Sequence, residues 1–200
     1  MKTIGTNESS HPLKSYIRST HYVFMDGQMI PLQLKNGHTY TIKSLKISMS
    51  TKKLEGDDFL SRISIKNEER TTVPVKLYVE NDLQPSDHHY GFVSPVENVL
   101  FFTNDEGLFL TSGIFKNRPF NQYGIMKKGQ SIETISDGKI PFSPIAGGDV
   151  IGIYAFEQEL APLETAIAYT WILISKTMSE RGLLVKDKQL KQTLAFSQEK

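Results

Sequence analysis

Asp87-His88-His89 is the densest run of side chains able to bind a metal or move a proton in this chain. Imidazole nitrogens and a carboxylate oxygen are ligand types for zinc and similar cations. Two adjacent histidines on an extended segment point to opposite sides, so they cannot close a site alone. A metal would need ligands from elsewhere, such as Asp82 or His38. The surrounding stretch DLQPSDHHYG is polar and turn-rich, so the expectation is a rim loop without metal.

Other reactive types are scattered. His11, His21 and His38 stand apart in sequence, and there is no Gly-x-Ser-x-Gly turn to present a nucleophilic serine. Ala146-Gly147-Gly148-Asp149 lacks the Lys-Ser/Thr of a phosphate loop and leads into a strand. The acidic pairs Asp57-Asp58 and Glu68-Glu69 sit in charged loops, where solvation is the expected state. The chain contains no cysteine, which excludes disulfides, thiol catalysis and thiolate metal sites. The reading is therefore non-enzymatic, with no catalytic residue, no cofactor and no metal. Binding is the alternative, and the contacts expected to carry it are His88, His89, Tyr90, Arg118, Phe120 and Tyr123.

The elements that must position these residues are strands. Ile63 and Ile65, then Val73, Val75, Leu77 and Val79, alternate with polar neighbours, so Ser61–Asn81 reads as strand, turn, strand. Asp26-Gly27 and Asn36-Gly37 are hairpin dipeptides. Asn104–Gly107 and Asp137-Gly138 are further turns. Between Ile42 and Leu45 the alternation slips, which predicts a bulge or bend. Val150–Glu157 and Ala166–Ser175 read as two long closing strands. Phe101 and Phe102 are adjacent, so one faces a core and the other away from it; beside Arg118, Phe120 and Tyr123 the outer one would form an exposed apolar patch.

Turns that recur this often between short apolar runs predict an all-β antiparallel sandwich. The end of the chain differs. Thr177–Glu180 has capping-box spacing, and Leu183, Leu190 and Leu194 share one helical face. The expected organisation is a flexible polar N-terminal arm over 1–20, a sandwich over 21–176, and a C-terminal helix and tail over 177–200.

With 23 Lys and Arg against 22 Asp and Glu, the net charge is +1. That field is too weak to recruit nucleic acid. Apolar residues make up 38% of the chain, enough for a buried core. The longest apolar run, Ala166–Ile174, is too short to span a membrane, and the first twenty residues lack the apolar centre of an export signal. The expected location is the cytoplasm, with assembly onto a surface structure left open.

ISIKNEERTTVPVKLYVENDL resembles the strand pair of Ig-like and supersandwich accessory domains, and ELAPLETAIAYTWILISKTMSERG is similar to their closing strand and helix. The nearest parallel is the non-catalytic N-terminal β-domain of glycoside phosphorylases and glucoamylase-type hydrolases. The resemblance covers residues 61–90 and 158–181. It implies an Ig-like or supersandwich-like fold and an accessory role, because the helical barrel that carries that family's catalytic carboxylates has no counterpart here. A DHH string also occurs in metal-dependent phosphoesterases, but their further Asp and His motifs and their α/β fold have no counterpart either. The expected function is that of a non-enzymatic β-sandwich protein of bacterial type. It would act through protein contacts or self-assembly, by way of the N-terminal arm or the edge strands. The alternative is a carbohydrate-binding accessory module, and the third and least favoured reading is a metal-dependent enzyme that uses the His88/His89 loop.

Overall fold

The computed structural model describes residues 17–32, 39–83, 89–129, 135 and 137–198. Two antiparallel sheets face each other. The smaller contains β1 (Ile17–Met25), β2 (Gln28–Pro31), β6 (Val73–Leu83), β11 (Gln122–Lys127) and β13 (Val150–Leu160), in the order β11-β13-β6-β1-β2. The larger contains β3 (Thr39–Ile42), β4 (Leu45–Lys53), β5 (Phe59–Asn67), β7 (Tyr90–Ser94), β8 (Val99–Asn104), β9 (Gly107–Phe115), β12 (Ile145–Gly147) and β14 (Thr165–Ser175). Its order is β12-β7-β8-β9-β14-β5-β4-β3, with the two-residue β10 (Arg118–Pro119) paired to β9. The helix α1 (Glu180–Gln198) follows. The all-β sandwich with one C-terminal helix is therefore as the alternation predicts. Among the described residues no helix is long and apolar enough to cross a membrane.

The turns follow from local chemistry. Asp26 and Gly27 both take positive φ and join β1 to β2, the backbone that a two-residue hairpin requires. Lys43 also has positive φ, and Ile42 pairs with Leu45. The slip between those residues is thus a hairpin turn and not a bulge. A two-residue turn and a one-residue insertion disturb the alternation alike, and only pairing tells them apart. Asn36-Gly37 lies outside the described residues.

The polar turn after Asn67 does not join a hairpin. It carries the chain from β5 in the larger sheet to β6 in the smaller one. Asn67 is buried there. Its amide donates to the carbonyls of Thr71 at 2.8 Å, Ala161 at 2.9 Å and Leu160 at 3.2 Å, and its Oδ1 accepts from the N–H of Glu69. The crossing from β13 to β14 is therefore tied to the crossing from β5 to β6. Residues 17–20, placed in the arm by composition, pair with β6 as the first part of β1; residues 1–16 lie outside the described residues.

Three apolar clusters result. The central one fills the space between the sheets and includes Val23, Ile63, Ile65, Leu77, Val79, Phe102 and Phe156. A second covers the outer face of the smaller sheet, where Gly138 at positive φ lies against the ring of Phe24 and accepts the Tyr78 hydroxyl. The third lies between the larger sheet and α1 and includes Phe101, Trp171, Leu173, Leu183 and Leu194. Phe102 faces the central core and Phe101 the other side, as adjacency requires. Phe101 stacks on Phe92 with ring centroids 5.0 Å apart and is fully buried, so it forms no exposed patch with Tyr123.

Helix α1 starts at Ser179, whose Oγ accepts the Gly182 N–H. The cap is this serine and not Thr177, because Ser179 directly precedes the first helical residue. Two polar contacts pin the helix down. Trp171 Nε1 donates to buried Asp187 at 2.9 Å, with Lys191 on the second carboxylate oxygen at 2.7 Å; Lys186 pairs with Asp58 at 2.8 Å. Truncating Asp187 to alanine strands the indole N–H and one end of Lys191. The expected cost is about 2 kcal/mol, or about 6 °C in melting temperature. Trp171 is the only tryptophan, so a red shift of its emission checks the loosened helix directly; unchanged emission and melting would contradict the pinning role.

Candidate binding surfaces

The six residues singled out by sequence do not share one surface. His88 lies outside the described residues. His89 is buried, and its carbonyl accepts the Gly148 N–H at 2.9 Å. Among the described residues no three His, Asp or Glu side chains could hold a metal ion. Asp82, considered above as a possible ligand, is engaged by Arg18 at 3.2 Å and Lys128 at 2.9 Å. Phe120 is buried, stacked on Tyr154 at 4.8 Å and edge-on to Tyr123 at 5.7 Å.

Arg118 is exposed and belongs to a charged recess between β10 of the larger sheet and β6 and β13 of the smaller one, with Lys76, Lys116, Glu157 and Glu159. Lys76 bonds Glu157 at 2.8 Å and Lys116 bonds Glu164 at 2.7 Å. The hydrogen bond from Lys76 holds the Glu157 carboxyl below its usual range against the opposing effect of burial, and Lys116 does the same for Glu164. Glycoside hydrolysis needs an acid that stays protonated near neutrality, and these two carboxyls are shifted the opposite way. Burial does hold Asp187 above the usual range, but that side chain sits beneath α1, bonded to Trp171 and Lys191.

Tyr90 and Tyr123 lie against different parts of the segment 141–147, Tyr123 beside Phe142 and Tyr90 beside Gly147. This segment bridges the edges of both sheets. Ser143 O accepts from Ile125 of β11 at 2.8 Å, and Pro144 O accepts from Val93 of β7 at 2.9 Å. Ile145 then pairs with Phe92 and Gly147 with Tyr90. Directly paired residues project to the same face, so Ile145, Phe92 and Tyr90 lie together on the outer face of the larger sheet. A Cβ on Gly147 would meet the Tyr90 ring at 3.1 Å. Phe142 packs edge-on against Tyr123 at 5.9 Å. Phe142 is 69% exposed, Ile145 63% and Tyr90 56%. Sequence reasoning missed Phe142 and Ile145 because the stretch between Pro141 and Gly148 reads as a plain loop; its prolines do mark an edge, which was the available signal.

No family model matches this chain, and no curated protein matches it. Among solved structures it is similar to a bacterial glucoamylase complexed with acarbose, at 14% identity and a TM-score of 0.53. The match covers 88% of this chain and 30% of that one. It is also matched to a family GH92 inverting mannosidase from Bacteroides thetaiotaomicron, at 10% identity and a TM-score of 0.42, over 91% of this chain and 25% of that one. The chain thus spans under a third of the length of these structures. The resemblance to the β-domain of glucoamylase-type hydrolases holds at the level of fold, and this chain shares the β-sandwich of the part of the glucoamylase that it matches.

Proposed function

We propose that this chain is a non-catalytic accessory module that works by protein contact, its own copies included, through the strip at residues 141–147. The observation that supports this reading is the exposure of Phe142 and Ile145 on one bridging segment, with Tyr90 exposed beside its Gly147. Large apolar side chains grouped this way leave water favourably when a partner covers them. Isoleucine, phenylalanine and neighbouring prolines suit an apolar protein surface. A strip of this size supports a weak contact that depends on concentration.

Light scattering across a concentration series tests it. The expected result is an apparent mass that rises above 22.6 kDa and returns to that value in a Phe142→Ser, Ile145→Lys double variant. A parent chain that stays at the single-chain mass at every concentration would overturn self-contact.

A second reading rests on Tyr90, an exposed aromatic ring on a sheet face, and on the fold shared with an enzyme whose structure contains acarbose. Here the strip stacks a glycan. Calorimetric titration with acarbose separates the two readings: saturable heat that disappears in Tyr90→Ala supports glycan contact, and no heat in the parent removes it.

A further inference from the structure

Between the two sheets, at the end where β1 begins, a recess of about 240 Å³ opens. Alternation should make its walls apolar, because they face the interior of a sandwich. Farther along the same strands they are: Val23, Ile63, Ile65, Ala166 and Ala168 belong to the central core. At the recess the inward positions switch to Ser19, His21, Thr51, Ser61 and Thr170. His21 and Thr170 are buried on its floor, with His21 Nε2 2.9 Å from Thr170 Oγ1. Thr51 and Ser61 hydroxyls are 2.9 Å apart on its wall. Ile17, Phe59 and Ile172, two positions from Ser19, Ser61 and Thr170 on the same strands, supply apolar lining. In the register row of Ile172 lies Thr111, a fully buried residue whose hydroxyl has no hydrogen-bond partner among the described residues.

Polar groups on the inner layer of a sandwich are costly unless something bonds them. All five have one partner within the protein: His21 with Thr170, Thr51 with Ser61, and Ser19 Oγ donating to Asn81 Oδ1 at 2.6 Å. The hydroxyl capacity left over along one opening, over a mostly apolar pocket, is the pattern of a small-molecule site. A dry cavity of roughly 150 Å³ holds benzene, so this recess takes a ring with a short substituent, about ten non-hydrogen atoms. Charge narrows the class further. Arg18 at the mouth is already paired with Asp82, and the floor presents only hydroxyls and an imidazole. We propose that the recess binds a small neutral ring compound bearing a hydroxyl group, such as an alkylated phenol, with the hydroxyl on Thr170 and Ser61 and the ring against Ile17 and Phe59.

Saturation-transfer NMR on the full chain with 4-ethylphenol, ethylbenzene and 4-ethylbenzoate tests this. The expected result is saturable binding of 4-ethylphenol with a dissociation constant of about 1 mM or tighter. Ethylbenzene and Thr170→Val should each bind about tenfold more weakly, the loss of one hydrogen bond, and 4-ethylbenzoate should not bind. Filling the recess with Ser61→Leu should abolish binding. Thr51→Leu, at the exposed rim, gives the same readout if the buried substitution prevents folding. No binding of 4-ethylphenol to the parent, or binding unchanged in the filled variant that folds, overturns the proposal. Equal affinity for ethylbenzene and 4-ethylphenol overturns the hydroxyl recognition.

Discussion

Replacing Asn67 with alanine is expected to destabilise the fold by about 3 kcal/mol and to lower the melting temperature by about 9 °C. The amide shares its hydrogens among three carbonyls on two different sheet crossings, and its oxygen receives the Glu69 N–H. Alanine fills part of the volume but leaves those groups without this partner in a site closed to water. A buried polar group left unpaired costs about 1–3 kcal/mol, and relaxation of the corner recovers part of the total. Asn67→Asp should be no better, because it loses the donor and brings a charge toward the Leu160 and Ala161 carbonyls. Urea denaturation of the three proteins checks this. A loss below about 1 kcal/mol would mean that the crossings hold without the side chain.

The second large effect is a dependence on pH. His21 is buried, and burial lowers its pKa from the ordinary 6.5 to about 4. The unfolded chain takes up this proton near its ordinary pKa, whereas the folded chain resists it. Protonation in the pH window between those values therefore favours the unfolded state, and stability falls as pH drops through it. A shift of this size corresponds to about 3 kcal/mol, all of it present above pH 6.5 and lost by the time the folded imidazole titrates. In His21→Gln the amide can still bond the Thr170 hydroxyl, and that slope is removed. The variant should be about 1 kcal/mol less stable than the parent at neutral pH and should match or exceed it in mild acid. Denaturant midpoints across the window test the crossing. Parallel stability curves for the two proteins would show that His21 does not titrate as its burial requires.

Much of the architecture can be read from alternation. Ile63 and Ile65, and Val73 to Val79, face a common core as their two-residue period demands. Strand β14 reads as a nearly continuous apolar run because it is covered twice, with Ala166 and Ala168 toward the smaller sheet and Trp171 and Leu173 toward α1. Which strand pairs with which is another matter. The turn after Asn67 looks the same whether it folds a hairpin or crosses between layers, because turn residues encode local backbone and not the destination of the next strand. The candidate surface was half visible. Tyr90, Tyr123 and Phe120 are all expected contacts as aromatics of this region, but Phe120 is buried. Exposure depends on what residues far away in sequence place over a ring, as segment 141–147 shows.

Strand order also bears on how the polypeptide assembles as it leaves the ribosome. Strand β14 sits between β9 and β5, and β13 sits between β11 and β6. Both wedge strands come after both of their neighbours in the chain. The smaller sheet is continuous only once β13 has emerged, at about residue 160, and until about residue 175 β5 and β9 of the larger sheet still hold open edges toward a gap. Growing from the N-terminus, the nascent protein therefore carries half-sheets with unpaired backbone, the kind of species that attracts stray strands and holding chaperones. Closure then comes late and in two successive steps, β13 before β14, and α1 covers the sealed face last.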